Sequence, residues 1–440
     1  MAAWRSPGVW VALFLAAPAA SAQTHSLVDS PRPGDCCKYD LSMTLKGELR
    51  VNRDGRTVAI PITATADHNF HERVLEAKEK GLPEKVARHY GMAKSSITVD
   101  GSTNGRAIRD DRRLIVAQRH KDQFLAYSPA GPMTHDELDV VSEHFDTLTL
   151  TGLLPSNDVT TGDSWKLSND VAQALCQFEA LISTELTAKL DEVADGFASI
   201  SIGGKASGIE LGALTKVTVS ARAKYEILPK RLVSVEWTQK DERDQGPASP
   251  AATVETTTIV KRAAVEMPKE LTDSALESVP PGFDVPPALT LVYHRDAQSH
   301  YDVAASRDWH LVAQTDRHLV LRLIDRGDLV AQVALTPWNK ADAGKHISPE
   351  EFKQAMAQAP GWQLDEILEA SEVPAENGRW IYRISARGTM DDVKVIQTVY
   401  LVANTDGEQV IATFTMKPGQ VAKLGSRDLT LVGSIGFPKK

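Results

Sequence analysis

A chain of 440 residues with 24% charged and 42% hydrophobic side chains has the composition of a folded protein, not of a wholly disordered one. Its formal charge of −9 comes without any basic block, which argues against nucleic acid and against an anionic membrane surface as partner. The length exceeds the roughly 250–300 residues at which a single core stops growing, so two domains are expected.

The first residues read as a secretory signal peptide over 1–22. Arg5 supplies the charge, Val9 to Ala17 the apolar run, and Ala20-Ser21-Ala22 the small-residue ending, which places the cut between Ala22 and Gln23. The run is shorter than the about 20 residues a spanning helix needs, and Pro18 breaks it. The expectation is an exported protein, periplasmic or extracellular, soluble and without stable membrane insertion once cleaved. Residues 23–35 are expected to be disordered. Outside the cytoplasm a disulfide is permitted. Neighbouring Cys36 and Cys37 are poorly placed to pair with each other, so a bond from one of them to Cys176 and three reduced thiols are the two open readings.

From 36 to 265 the chain reads as a β-rich domain. Strands fit Tyr39–Val51 and Thr57–Val74, with Asp54-Gly55 as the turn between them. Pro83 to Tyr90 reads as a short helix with proline in its first turn and Gly91 at its end. Thr134-His135-Asp136-Glu137 has capping-box spacing, with Leu138, Val141 and Phe145 on one face, and a further helix is expected from Ser168 through Cys176. Strands follow at Leu181–Leu190 and Ala198–Ile202, and Gly203 to Gly208 reads as a loop. Val217 to Ile227 alternates apolar odd and polar even positions, as a half-buried antiparallel strand does. The turn at Leu228–Arg231 then leads to a partner strand through Val233, Val235 and Trp237, and Val254–Val260 closes the domain. Such a series predicts one large curved antiparallel sheet or open barrel with short helical insertions.

Residues 266–298, with Pro268, Pro280, Pro281, Pro286 and Pro287, read as a linker, part of it packed on a domain surface. A second, α+β domain is expected over 299–440. Its strands are His318–Ile324, Leu329–Leu335, Arg379–Ala386, Val393–Val402 and Gln409–Met416, the last two joined at Asp406-Gly407. Ser348, Pro349 and Glu351 mark a capped helix, and Arg427–Ser434 a closing one. Val393–Val402 is apolar on both faces, which predicts a central strand covered by helices on one side.

The order of elements over about 299–437 resembles the PsbP-like fold. The carriers are Trp309-His310-Leu311-Val312, Thr336-Pro337-Trp338 before the capped helix, Gly378-Arg379-Trp380-Ile381-Tyr382, and the ending Leu431-Val432-Gly433-Ser434-Ile435-Gly436-Phe437. The resemblance implies an αβα-type sandwich acting as a binding or assembly module without catalysis of its own. The first domain, through Leu153-Leu154-Pro155 and Gly162-Asp163-Ser164-Trp165, resembles exported bacterial β-rich proteins of unknown function, which implies a fold and no activity.

Candidate chemistry is sparse. Asp67-His68-Asn69-Phe70-His71-Glu72 gathers metal-ligating types, but residues three apart on a strand face opposite ways, so His68 and His71 are not expected to share an ion. His135 and His144 fall on opposite sides of their helix. No nucleophile elbow, phosphate loop or dinucleotide fingerprint is present. Asn404-Thr405-Asp406-Gly407 lacks the glutamate a calcium loop needs. No catalytic, cofactor or metal residue is therefore assigned. The favoured expectation is a non-enzymatic envelope protein whose sheets bind a small ligand or another envelope protein, through a concave apolar groove or exposed patch with few clustered titratable groups. The alternatives are a hydrolase built from at least two of His68, His71, His89, His120, His135 and His144 converging with carboxylates, and a purely structural envelope component.

Overall fold

The computed structural model describes residues 23–438, apart from positions 54, 79–80, 121–122, 143–144, 248 and 377. Three long strands, β1 (Cys36–Arg53), β2 (Arg56–Ala77) and β3 (Pro83–Val99), open it, followed by β4 (Ser102–Ala107), β5 (Leu114–His120) and β6 (Gln123–Tyr127). A helical insert comes next: β7 (Met133–Thr134), α1 (His135–Val141), a 3-10 stretch over Thr147–Leu153, β8 (Ser164–Lys166) and α2 (Asn169–Leu175). Then come β9 (Ala180–Thr184), β10 (Thr187–Ala194), β11 (Phe197–Glu210), β12 (Ala213–Glu226), β13 (Arg231–Arg243) and β14 (Ala251–Ala264).

Among the described residues these strands, β7 excepted, build one antiparallel sheet of thirteen strands. Its order is β6-β5-β3-β2-β1-β14-β13-β12-β11-β10-β8, with β4 on β3 and β9 on β11. Two meanders thus run outward from the central β1–β14 pair, and the sheet curves without closing. Period-two alternation decides its inner face. Tyr39, Leu41 and Met43 of β1, Ala66 and Phe70 of β2, Val217 and Val219 of β12, and Val235 and Trp237 of β13 are buried there. The insert plugs the concavity: Phe145, Leu153, Leu175 and Phe178 join the same core. The capping expectation at Thr134 holds, Thr134 exchanging bonds with Glu137, and α2 opens on Ser168, whose side chain accepts from Val171 N–H.

Four sequence readings are corrected. Pro83–Tyr90 is strand, the start of β3, because pairing with β2 and β5 outweighs the helix propensity of its Glu, Lys, Ala and Arg residues. Gly203–Gly208 lies inside β11. A Cβ at Gly204 would collide with the Glu185 carbonyl and one at Gly208 with the Phe178 ring, so the glycines let the β9–β10 junction and the end of the insert lie on the strand. Leu181–Leu190 is two strands, since β9 and β10 pair separately with β11. Residues 23–35 are laid onto the sheet: Leu27 is 1% exposed, Tyr225 donates to Val28 O, and Asp29 pairs with Arg262 at 2.6 Å. Cys36, Cys37 and Cys176 are free, buried thiols with no cross-link between them. Ala22 and the Asp54 turn residue lie outside the described residues.

The proline-rich stretch is a strap over the outer face of β2, β3 and β5. Arg73 donates to Leu271 O at 2.8 Å, Lys85 to Pro280 O at 2.6 Å and also to Gly282 O, and Gln118 to Phe283 O at 2.8 Å. It passes through α3 (Pro287–Thr290) into β15 (Val292–Arg295) and β16 (Asp302–Ala305); β15 runs parallel to β7, giving a three-stranded sheet.

The remaining strands are β17 (Trp309–Gln314), β18 (Leu319–Asp325), β19 (Asp328–Trp338), β20 (Trp362–Val373), β21 (Trp380–Met390), β22 (Val393–Ala403) and β23 (Gln409–Met416). They form a sheet in the order β17-β18-β19-β23-β22-β21-β20. The helix α4 (Pro349–Ala357) covers one face and α5 (Val421–Leu424) with α6 (Arg427–Gly433) the other, so helices lie on both sides of the sheet and not on the one side expected for Val393–Val402. β22 is buried on both sides, Tyr400 and Val402 toward α6 and Val399 and Leu401 toward the α4 core. Arg307 reaches back to Ala126 O at 2.7 Å and Arg322 to Pro247 O at 2.7 Å, tying this unit to the large sheet.

Candidate functional site: a groove on the concave face

The insert does not cover the whole inner face. Beyond Met43, the inward positions of β1 are Leu45, Gly47 and Leu49, facing Thr256, Val254 and Ala252 across β14 and Ala64, Ile62 and Ile60 across β2. A Cβ at Gly47 would strike the Thr253 carbonyl, so only glycine lets β14 lie this close to β1. Above these residues opens a cavity of about 220 Å³, floored by Met43, Trp237 and Thr258 and walled by Leu45, Leu49, Ile62 and Val254.

Its other wall is polar and comes from alternate residues of β13. Trp237 Nε1 donates to Gln239 Oε1 at 3.0 Å, and Gln239 Nε2 donates to Asp241 Oδ1 at 2.8 Å. Arg243 Nη1 donates to Glu210 Oε1 at 3.0 Å, while Arg243 Nε is buried with no partner among the described residues. Thr215 donates to the other Glu210 oxygen at 3.3 Å. Burial raises the Asp241 carboxyl from the ordinary range to about 7. Glu210 adds to the rise, and the Gln239 hydrogen bond and Arg243 offset part of it.

Gln177 and Glu210 also line a wider depression of about 550 Å³, bounded by Phe124, Phe178 and Leu211. Gln177 stands between the two with φ of 58°, at the end of α2. Phe178 N–H donates to Gln173 O and Gln177 N–H to Ala174 O, the two bonds of a Schellman cap, in which glycine is the usual left-handed residue. Gln177 thus carries a side chain in the left-handed region at the lip of the cavity, a conformation that costs strain.

The histidines named from sequence scatter. His68 is buried on the inner face, edge-on to Tyr90, and His71 faces the other way. His71 does stand opposite His89 in the β2–β3 register, a juxtaposition hidden by reading β3 as helix. Burial pulls His89 below its usual value, with half-buried Glu270 of the strap opposing the fall. His135 is 6.3 Å from His294 of β15, ring to ring, and 3.4 Å from Asp139. His144 and the side chain of His120 lie outside the described residues. Among the described residues no three His, Cys, Asp or Glu side chains come together as a metal site, and no helix is long and apolar enough to cross a membrane. Sequence reasoning did not single out Trp237, Gln239, Asp241, Arg243 or Glu210. The available signal was the inward face of β13 turning from Val235 and Trp237 to Gln239, Asp241 and Arg243.

Neither a protein-family model nor a curated protein sequence matches the chain. Among solved structures, cyanobacterial PsbP from Synechocystis sp. PCC 6803 is similar over 34% of this chain and 93% of its own, at 16% identity and a TM-score of 0.26. Lipovitellin is similar over 54% of this chain and 26% of its own, at 7% identity and a TM-score of 0.32. A Pseudomonas aeruginosa protein of unknown function, PA94, is similar over 34% of this chain and 98% of its own, at 12% identity and a TM-score of 0.23. Likenesses this distant carry no argument about function, so the functional reading rests on the groove.

Proposed function

We propose that this chain is an exported, non-enzymatic binding protein that holds a small amphiphilic molecule on the concave face of its large sheet. On this reading residues 36–265 are the ligand-binding unit, and residues 299–440 are a PsbP-like module that packs beside it and serves assembly with an envelope partner. The observation that carries the proposal is the two-sided lining of the cavity. Leu45, Leu49, Ile62 and Val254 offer an apolar wall, and Gln239, Asp241, Arg243 and Glu210 a hydrogen-bonding one. Ligand sites are mostly apolar concavities with a few placed polar groups, and a purely structural sheet gains nothing from leaving such a face open. The test is titration with the neutral apolar dye N-phenyl-1-naphthylamine, followed by its fluorescence rise. A saturable one-to-one rise, reversed by single-chain amphiphiles, is expected. No saturable rise, together with no small molecule carried through purification in native mass spectra, would remove the proposal.

A further inference from the structure

The polar wall has a direction. An indole N–H only donates, so the Gln239 atom facing Trp237 is the carbonyl oxygen, and the amide nitrogen is turned to Asp241. The chain Trp237→Gln239→Asp241 therefore ends on a carboxyl group whose second oxygen receives no donor from the described residues, at the cavity wall. The charges do not cancel either. Glu210 is answered by Arg243 at 3.0 Å, whereas Asp241 has no ion-pair partner among the described residues and feels Arg243 only at longer range. In the adjoining depression Arg119 pairs with Asp146 at 2.5 Å, and Glu179 adds a further acid.

We infer, on top of the binding function proposed above, that the groove selects a cationic amphiphile, its ammonium-type head donating to Asp241 and its chain lying along Leu45, Leu49 and Val254. A donor head completes the open Asp241 oxygen and neutralises that carboxylate. An anionic head would meet the Asp241 and Glu210 carboxyl groups, and the guanidinium that could answer it is already paired through Arg243 Nη1 to Glu210, its Nε being buried. The partly protonated state of Asp241 near neutrality, set by its burial, makes the selection pH-dependent. A bound cation favours the ionised acid, so affinity for it rises from acid to alkaline pH.

The experiment compares decylamine, decanol and decanoate, each below its micelle concentration, by calorimetric titration of the full chain at pH 5.5 and 8.5. The amine keeps its charge at both, as lysine does with a pKa of about 10.4. At pH 8.5 decylamine should bind about tenfold or more tighter than decanol, the scale of one charge-assisted hydrogen bond, and decanoate weakest. At pH 5.5 the advantage of the amine should shrink. Asp241→Asn should abolish both the preference and its pH dependence while leaving decanol binding in place, which shows the variant folded. Decanoate binding as tightly as decylamine, or an undiminished amine preference in D241N, would overturn the inference and leave the binding function standing. Failure of all three to bind the wild-type chain would instead remove the binding function itself.

Discussion

Asp241→Asn is also expected to make the protein more stable, and only at neutral and alkaline pH. In the folded chain the Asp241 carboxyl is raised to about 7 by burial, with Glu210 adding to it; in an unfolded chain it returns to about 3.9. The folded state therefore holds the proton more tightly. Stability is complete below pH 4, is lost as pH rises from about 4 to about 7, and stays at the lower level above that. Converting the whole shift, about 3 pH units at 1.36 kcal/mol each, gives an upper bound of about 4 kcal/mol. The group lines a cavity open to water and is screened there, so about 1–2 kcal/mol is the working expectation. Asparagine keeps an acceptor for Gln239 and removes the charge. Denaturant unfolding of wild type and variant at pH 8 and pH 4 supplies the assay: D241N should gain about 1–2 kcal/mol at pH 8 and nothing at pH 4. Equal stabilities at pH 8, or a variant weakened there, would show that Asp241 is an ordinary solvated or well-paired acid and refute the reasoning.

Three further outcomes follow from the same geometry. His294 is 4% exposed and its Nε2 has no partner among the described residues. Burial, then His135, holds its pKa down at about 4, so stability should be full above about pH 6.5 and fall as pH drops toward 4, by about 1–2 kcal/mol at pH 5, a loss that His294→Gln removes in unfolding curves. Arg88 is 0% exposed and bonds Glu72 at 2.8 Å and Thr147 at 2.7 Å, so Arg88→Met should cost about 3–5 kcal/mol by stranding Glu72, while the double variant with Glu72→Met should recover much of it in the same assay. Gln177→Gly relieves a left-handed side chain at the α2 cap and should raise stability by about 0.5–1 kcal/mol, with thermal unfolding as the check.

Strand alternation, capping boxes and turn residues were legible in the sequence because each is a local rule. β12 and β13, the caps at Thr134 and Ser348, and the doubly buried β22 all fall where those rules put them. What was not legible depends on partners distant in the chain. Pro83–Tyr90 has helix-forming residues and becomes strand only because β2 and β5 supply ladders on both sides. Residues 23–35 look featureless, yet Asp29 is held by Arg262, 233 positions away. The glycines of β11 resemble a loop until the packing of Phe178 and Glu185 on them is known. The groove is harder still. Its polar wall reads in sequence as one more alternating strand, and whether an inward Asp is a buried cost or a ligand contact depends on whether the insert covers it. Histidines and cysteines drew attention by residue type, whereas the site is defined by what the insert leaves open.

The proposed ligand sits on the uncovered inner face between β1, β13 and β14. Val254 and Glu255 are neighbours on β14, Val254 lining the cavity and Glu255 paired outward with Lys46 at 3.0 Å. Titrating N-phenyl-1-naphthylamine into Val254→Phe and Glu255→Phe, with thermal unfolding confirming that both fold, separates the two faces of one strand. Val254→Phe should fill the groove and weaken dye binding about tenfold or more, while Glu255→Phe should bind as the wild type does. Equal binding by both variants would place the ligand elsewhere and contradict the account.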